Sequence, residues 1–137
     1  GHGSITAMYT VLAEGDDGND PIVDISRASL DGQVMLSRRL ADQAHYPAID
    51  LNGSISRVMQ TLVSPEELKM SNKLRRLWAV YEQNADLVQV GAYEAGTNPE
   101  LDDAIRLRTQ MVTFLQQDMH LGEDYQVTRS QLKQLLS

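Results

Sequence analysis

The sequence predicts a mixed α/β segment followed by a segment that contains only helices. Short runs rich in β-branched and aromatic residues, which favour strands, occur in the first half of the chain. Two helix starts with Pro at the first helical position, Ser64-Pro65 and Asn98-Pro99, each precede a long apolar stripe at helical spacing. We therefore place the boundary near Val63, which gives segments 3–63 and 64–137, and we interpret Gly1-His2 as the remnant of a tag.

Composition excludes several classes of protein. The length of 137 residues predicts one domain, or one domain with part of another. A net charge of −7 argues against a nucleic-acid-binding protein and against a polybasic membrane module. Because there is no cysteine, the chain has neither disulfides nor a thiolate metal site, which suits a reducing compartment. No apolar run approaches the ~20 residues that span a bilayer.

The first predicted strand is Ile5–Leu12, which is apolar on both alternating faces. Such a strand is typical of a parallel sheet covered by helices on both sides, and a short buried helix is the alternative. A short helix is expected to follow from Asp20-Pro21, because Asp is a favoured cap and Pro a favoured first residue. Its buried side would consist of Ile22, Ile25 and Leu30.

Two further strands are predicted before the boundary. Gln33–Ser37 reads as a strand after the turn at Asp31-Gly32, and Ala48–Leu51 as a possible third strand. Between them, Arg38–Gln43 could form one or two helical turns. Asn52-Gly53 marks another turn.

The first long helix is predicted to begin at Ser64-Pro65, with Glu67 completing a capping box. Its buried face follows the spacing i, i+3, i+4, i+7 and then continues. The residues on this face are Leu74, Leu77, Trp78 and Tyr81, extended by Leu87 and Val88.

A turn bracketed by Gly91 and Gly96 should separate this helix from a second, which starts at Asn98-Pro99 and breaks at Gly122. A third helix is predicted over Asp124–Leu136. The apolar stripe of the second helix is Leu101, Ala104, Ile105, Leu107, Met111, Phe114 and Leu115, and that of the third is Tyr125, Leu132, Leu135 and Leu136.

Few residues have a pattern that carries chemistry by itself. The acidic loop of Glu14, Asp16, Asp17, Asp20 and Asp24 does not follow the calcium-loop spacing, so caps and solvated carboxylates are the better interpretation, and we predict no metal site. The three histidines also lack metal-ligand spacing, and His45 is expected to be a hydrogen-bonding loop residue. The chain contains no Gly-x-x-x-x-Gly-Lys-Ser/Thr phosphate loop.

The stretch from Ala44 to Arg57 is irregular and combines an aromatic ring with a guanidinium. Tyr46 should be extended, because Pro47 clashes with an α conformation at the preceding residue. On composition alone Arg57 is an ordinary surface arginine and Tyr46 a partly buried loop residue.

In this order, the segments resemble the catalytic ATPase of the bacterial flagellar and type III secretion export apparatus. That family is itself similar to the catalytic subunit of rotary ATP synthases. The resemblance covers nearly the whole chain and rests on the combination of motifs. They are Gly3–Leu12, Glu14–Asp17, Asp20–Ile22, Leu30–Gly32, Leu36–Arg38, His45–Asp50, Ser54–Arg57 and Val90–Tyr93.

The resemblance implies that the chain is the C-terminal part of a longer enzyme. It would contain the C-terminal portion of a RecA-like parallel-sheet nucleotide-binding domain, followed by a C-terminal helical bundle domain. The phosphate loop, the magnesium-coordinating Asp and the catalytic Glu would precede it. ATP and Mg²⁺ are therefore expected with the full-length protein, whereas this chain alone should bind neither and be inactive.

The resemblance also implies site residues and partners. Tyr46, with Pro47, would line the adenine pocket of its own subunit. Arg57 would be the arginine finger that reaches the γ-phosphate bound in the neighbouring subunit of a homo-hexamer. The implied partners are stator and stalk proteins and chaperone–substrate complexes, at a cytoplasmic position peripheral to the inner-membrane export gate, with no nucleic acid.

Two alternatives remain open at this point. One is a non-catalytic adaptor whose helices hold a protein partner. The other is a regulatory subunit like those of rotary ATPases, which binds nucleotide without turning it over. A phosphate loop and a catalytic Glu in the preceding sequence would favour the enzyme over both.

Overall fold

The computed structural model describes residues 2–12 and 21–137. A small two-stranded sheet lies in the first half of the described chain, and helices make up the second half. The elements, in order, are α1 Pro21–Ser29, β1 Gly32–Leu36, α2 Arg38–Asp42, β2 Ile49–Ser56, α3 Met59–Leu62, α4 Pro65–Gln83, α5 Ala85–Gln89, α6 Pro99–Leu115 and α7 Tyr125–Leu135. Within the part described, no helix combines the length and the apolar character needed to cross a bilayer.

Strands β1 and β2 form an antiparallel pair with a large bulge. Leu36 pairs with Ile49 at one end and Gly32 with Ser56 at the other. The register shifts between them because β2 carries the extra residues of the bulge. The second and third predicted strands are therefore confirmed, and β2 extends beyond its predicted end, but their pairing is antiparallel rather than parallel.

The predicted turn at Asn52-Gly53 lies inside this bulge. One carboxylate oxygen of Asp50 accepts hydrogen bonds from the backbone N–H of Asn52 at 3.0 Å and of Gly53 at 3.1 Å. A Cβ on Gly53 would lie 2.8 Å from the other oxygen of Asp50, so a larger residue here would have to displace the Asp50 carboxylate. The Asx turn folds the extra residues without ending the strand.

The core of the described residues lies between α4, α6 and α7. The stripes predicted from helical spacing face one another there, which confirms the helical half of the predicted fold, although Tyr125 of the third stripe is exposed. The buried members of this core are Leu74, Leu77, Trp78, Ala104, Leu107, Met111 and Leu136.

The boundaries of α4 follow local chemistry at both ends. Ser64 and Glu67 form the predicted capping box, in which each side chain bonds the other's backbone N–H. The helix ends at Gln83, because Asn84 leaves the helical conformation and its side-chain amide donates to the carbonyl of Val80 at 2.8 Å. Leu87 therefore lies on the separate helix α5 and is 42% exposed, so the predicted extension of the buried face is wrong at Leu87, whereas Val88 is partly buried.

The remaining turns match their sequence signals. Gly91 and Gly96 both adopt positive φ, at 70° and 91°, as the predicted turn requires. Asn98 caps α6, and α7 follows the cap at Asp124. Helix α6 ends at Leu115, seven residues before the break expected at Gly122.

The predicted strand Ile5–Leu12 is wrong for the structure of this chain. The segment has neither helix nor strand, and its apolar side chains are exposed. A strand buried on both faces needs neighbouring strands and covering helices, and no other described residues pair with this segment. Ile25 of α1 is likewise exposed rather than buried. Ile22 was predicted on the same face, and its side chain lies outside the described residues.

Candidate functional site

Tyr46 follows α2 in a tight loop that presents its ring to solvent. The loop turns at Ala44, where φ is 54°, and the N–H of His45 donates to the carbonyl of Leu40 at 2.9 Å. The Tyr46–Pro47 bond is cis. The Tyr46 side chain is 56% exposed, while its hydroxyl donates to the carbonyl of Ala41 at 3.3 Å. An exposed ring with a fixed hydroxyl end fits one face of a flat base.

His45 points the opposite way, into the helical core. It is 6% exposed, and its ring centroid lies 6.1 Å from that of Trp78, with the planes tilted by 56°. Burial, and then the positive charge of Arg108, lower the pKa of His45 below its ordinary value. The expected hydrogen-bonding loop histidine is thus a buried, neutral ring packed on Trp78.

Arg57 follows the other end of β2. Its backbone N–H donates to the carbonyl of Asp31 at 2.8 Å, and its guanidinium donates to the carbonyl of Arg27 at 2.9 Å. The side chain is exposed, and no ion pair with a carboxylate forms at Arg57 among the residues described. A neutral carbonyl orients the guanidinium without cancelling its charge, so the group can still pair with an anion.

The structure does not bring Tyr46 and Arg57 into one site. Ile49 and Ser56 pair with residues of β1 that are four positions apart, so the two ends of β2 are separated by roughly 13 Å. Tyr46 precedes one end and Arg57 follows the other. The two candidate groups therefore face different surroundings.

The acidic residues do not form a cation site in the described part of the chain. Asp24 is exposed and pairs with Arg27 at 3.5 Å, while Glu14, Asp16, Asp17 and Asp20 lie outside the described residues. No group of three or more acidic or histidine side chains among the described residues could hold a metal ion. The geometry thus fits the base of a nucleotide at Tyr46 and an anion at Arg57.

A polar network that no local sequence pattern predicts connects α2 to the long helices. Arg108 lies between two rings, with its guanidinium carbon 4.0 Å from the ring centroid of Trp78 and 4.2 Å from that of Tyr81. Glu82 pairs with Arg108 at 3.0 Å and also with Arg39 of α2. Trp78 and Tyr81 were predicted as core, but no local spacing links either ring to Arg108, 27 or more positions away.

Comparison with known proteins decides the family. Residues 63–134 match the family model described as the type III secretion (T3SS) EscN ATPase C-terminal domain. Residues 1–56 match the model described as the nucleotide-binding domain of the ATP synthase alpha/beta family. The chain belongs to the flagellar and type III secretion ATPase family. A flagellum-specific ATP synthase of Pseudomonas aeruginosa is 50% identical over 137 residues, which is 100% of this chain and 30% of that relative.

Solved structures support membership in the export ATPase family. The assembled ATPase EscN of the enteropathogenic E. coli type III secretion system superimposes with a TM-score of 0.94 at 41% identity, covering 98% of this chain and 32% of EscN. The assembled EscN in complex with its central stalk EscO gives a TM-score of 0.81 at 37% identity, covering 85% of this chain and 29% of that chain. The chain spans about 30% of the length of the curated relatives that it matches.

Proposed function

We propose that the chain is the C-terminal part of an ATPase that hydrolyses ATP in a homo-hexameric ring to energise flagellar or type III protein export. The observation that carries this proposal is the 50% identity, over all 137 residues, with a flagellum-specific ATP synthase. In the full-length protein, residues 3–63 would complete a RecA-like nucleotide-binding domain and residues 64–137 would form a C-terminal helical domain. Supporting this, the segment Ile5–Leu12 exposes apolar residues that a completed sheet would bury.

Tyr46 and Pro47 are proposed to line the adenine pocket of their own subunit. The exposed ring of Tyr46 and its hydroxyl bond to Ala41 support this role, because stacking requires an accessible face held in a fixed direction. ATP is the substrate, and the part of the protein preceding this chain would hold its phosphates and Mg²⁺. When bound, Mg²⁺ would neutralise charge on the phosphate oxygens.

Arg57 is proposed to be the arginine finger of the neighbouring subunit's site. Its guanidinium is exposed, oriented by the carbonyl of Arg27 and free of any carboxylate partner among the residues described. Arg57 and Tyr46 lie at opposite ends of β2, which supports a role in which Arg57 contacts a different nucleotide from the one that stacks on Tyr46. In phosphoryl transfer such a finger contributes ~10³–10⁵ in rate by stabilising transition-state charge.

The test replaces Arg57 in the full-length protein. Arg57→Ala should bind ATP with nearly unchanged affinity and still assemble, but its turnover in the ring should fall by ~10³ or more. Arg106→Ala is the matched control, since Arg106 is also exposed and, among the residues described, pairs with Asp103 one turn earlier on α6. Near-normal turnover by the assembled Arg57→Ala protein would disprove the finger assignment.

A mixed ring tests whether the finger acts between subunits. Subunits with Arg57→Ala are combined with subunits that have an intact Arg57 but a disabled phosphate loop. Where the two kinds of subunit meet, the Arg57→Ala subunit supplies an intact phosphate loop and its neighbour supplies an intact Arg57. Such an interface has a complete site, so ATPase activity should return on mixing. Without recovery in verified mixed rings, Arg57 cannot be serving the neighbouring site.

The cellular setting follows from the same proposal. The full-length protein would act in the cytoplasm, peripheral to the inner-membrane export gate, with stator and stalk proteins and chaperone–substrate complexes as partners. The assembled EscN and its complex with the central stalk EscO support the ring and the stalk.

A further inference from the structure

The loop that carries Tyr46 is attached to the helical half of the chain at three points. The backbone N–H of Gln117, just after α6, donates to the carbonyl of Tyr46 at 3.0 Å. His45 inserts its buried ring against Trp78 of α4. Arg39, in the helix that precedes the loop, pairs with Glu82 of α4. The conformation of the loop therefore depends on α4 and α6 as well as on its own sequence.

The partner of His45 is itself held rigidly. Trp78 is 3% exposed and packs against the guanidinium of Arg108, whose other face lies over Tyr81. Glu82 accepts from Arg108 and pairs with Arg39, so one carboxylate connects the stack to α2. The order of contacts is thus His45, Trp78, Arg108, Glu82 and Arg39, beginning and ending in the segment that presents Tyr46.

Beyond these attachments, the Tyr46 ring is fixed by a hydrogen bond within its own segment. More than half of its side chain is exposed, and its hydroxyl bond reaches only to Ala41, a few residues earlier in the same segment. Since His45 is the adjacent residue and points into the core, its position on Trp78 contributes, with the Gln117 hydrogen bond, to the direction in which the backbone presents Tyr46.

We propose that His45 is a positioning residue for Tyr46, through which the His45–Trp78–Arg108 stack of the helical half sets the direction of the adenine-stacking ring. This inference rests on the proposed role of Tyr46 in binding ATP. The helical half would then influence the affinity for nucleotide without any of its side chains touching the nucleotide. His45 acts through its ring packing, so a neutral aromatic ring of another kind should substitute for it.

The test measures ATP hydrolysis by the full-length protein. Tyr46→Ala should raise the KM for ATP about tenfold, the loss expected for one base–aromatic stack. His45→Ala should raise KM about threefold to fivefold with kcat changed by less than about twofold, because orientation of the ring is weakened but the ring remains. His45→Phe, which keeps a flat ring on Trp78, should return KM to within about twofold of the wild type.

Two further variants separate positioning from general loss of stability. Leu136→Ala removes a buried residue of the same core on the side of α7, so it should lower the melting temperature without raising KM. Arg39→Ala removes the ion pair with Glu82 at an exposed side chain, so this variant should fold even if His45→Ala does not. Its KM for ATP should rise about twofold to threefold.

Each outcome has a distinct meaning. If Tyr46→Ala raises KM but His45→Ala and Arg39→Ala do not, the positioning role is wrong while the proposed function stands. If Leu136→Ala raises KM as much as His45→Ala, KM follows stability and the inference is overturned. If the wild-type protein does not hydrolyse ATP, or Tyr46→Ala leaves KM unchanged, the proposed role of Tyr46 fails and the inference fails with it.

Discussion

Glu67 illustrates how one side chain can connect a local signal to a distant contact. Its carboxylate accepts from the backbone N–H and the hydroxyl of Ser64, at 2.9 Å and 2.7 Å. It also accepts from the hydroxyl of Tyr125 at 2.9 Å and pairs with Arg129 at 2.8 Å. These donors, with the Ser64 hydrogen bonds first, lower the pKa of Glu67 to about 2.

The stability of the chain should consequently depend on pH through Glu67. The pKa of Glu67 is lower in the folded chain than its ordinary value of 4.5, so the unfolded chain binds the proton more readily. The contribution of Glu67 is therefore present above pH 4.5 and is lost as pH falls towards 2. Urea unfolding midpoints measured between about pH 6 and pH 3 should show this loss.

Glu67→Gln provides the comparison for that measurement. The amide keeps the size of the side chain and one acceptor oxygen but does not titrate. The difference in unfolding free energy between wild type and variant should shrink as pH falls, since other carboxylates contribute equally to both proteins. A difference that stays constant from pH 6 to about pH 3 would contradict the assignment.

Half of this arrangement could be predicted from the sequence. Ser64 and Glu67 are three residues apart, so their capping box is a local pattern. Tyr125 and Arg129 lie about 60 positions further along the chain, and their contact with Glu67 depends on how α7 packs against α4. Nothing in local spacing specifies that packing.

At the scale of elements, helices were predicted well because their signals are local and repeated. The starts of α4 and α6 follow Ser-Pro and Asn-Pro signals, and the buried residues of both helices recur at helical spacing. The four residues of α3 are too few to show such a period, so α3 was missed. Ile5–Leu12 was assigned as a strand, yet a strand exists only with partners to pair with.

Met111 provides a test of the predicted stripe of α6. It is 0% exposed and lies in the cluster formed with α4 and α7. Met111→Ala should destabilise the chain by about 2–5 kcal/mol, because truncation of a fully buried side chain leaves a cavity. Gln110→Ala, at an exposed position on the same helix, should change stability by less than about 0.5 kcal/mol.

Urea unfolding of the two variants at one pH distinguishes the outcomes. A shift in midpoint for Met111→Ala with an unchanged slope indicates lost stability rather than an altered unfolded state. Equal midpoints for both variants would show that Met111 is not part of a packed core.

At the scale of the whole molecule, the candidate site follows from two kinds of information. The residue types and order of Tyr46, Pro47 and Arg57 identify them only by resemblance to a family, since neither spacing nor composition distinguishes them from surface residues. Their placement at opposite ends of β2 required the structure. The network of Arg39, Glu82 and Arg108 could not be predicted, because it joins three elements far apart in sequence.

The isolated 137-residue chain is expected to be monomeric and without ATPase activity. It contains no phosphate loop, so its contact with ATP would be limited to the base at Tyr46 and an anion at Arg57, which lie apart. One base–aromatic stack contributes ~1–3 kcal/mol. A Kd of ~1 mM requires about 4 kcal/mol, so ATP should bind more weakly than ~1 mM. Ring formation would need the parts of the protein that precede this chain.

Light scattering and phosphate release measured on the same sample test this expectation. The chain should scatter as a monomer of 15.3 kDa and release phosphate no faster than a buffer blank, while the full-length protein at equal concentration is active. If the chain releases phosphate, the assay would be repeated with its Arg57→Ala and Tyr46→Ala variants. Turnover that Arg57→Ala abolishes and that Tyr46→Ala lowers at limiting ATP would show that the chain hydrolyses ATP by itself, whereas turnover unchanged by either would identify a contaminating ATPase. A stable hexamer would show that residues 1–137 already contain sufficient ring contacts.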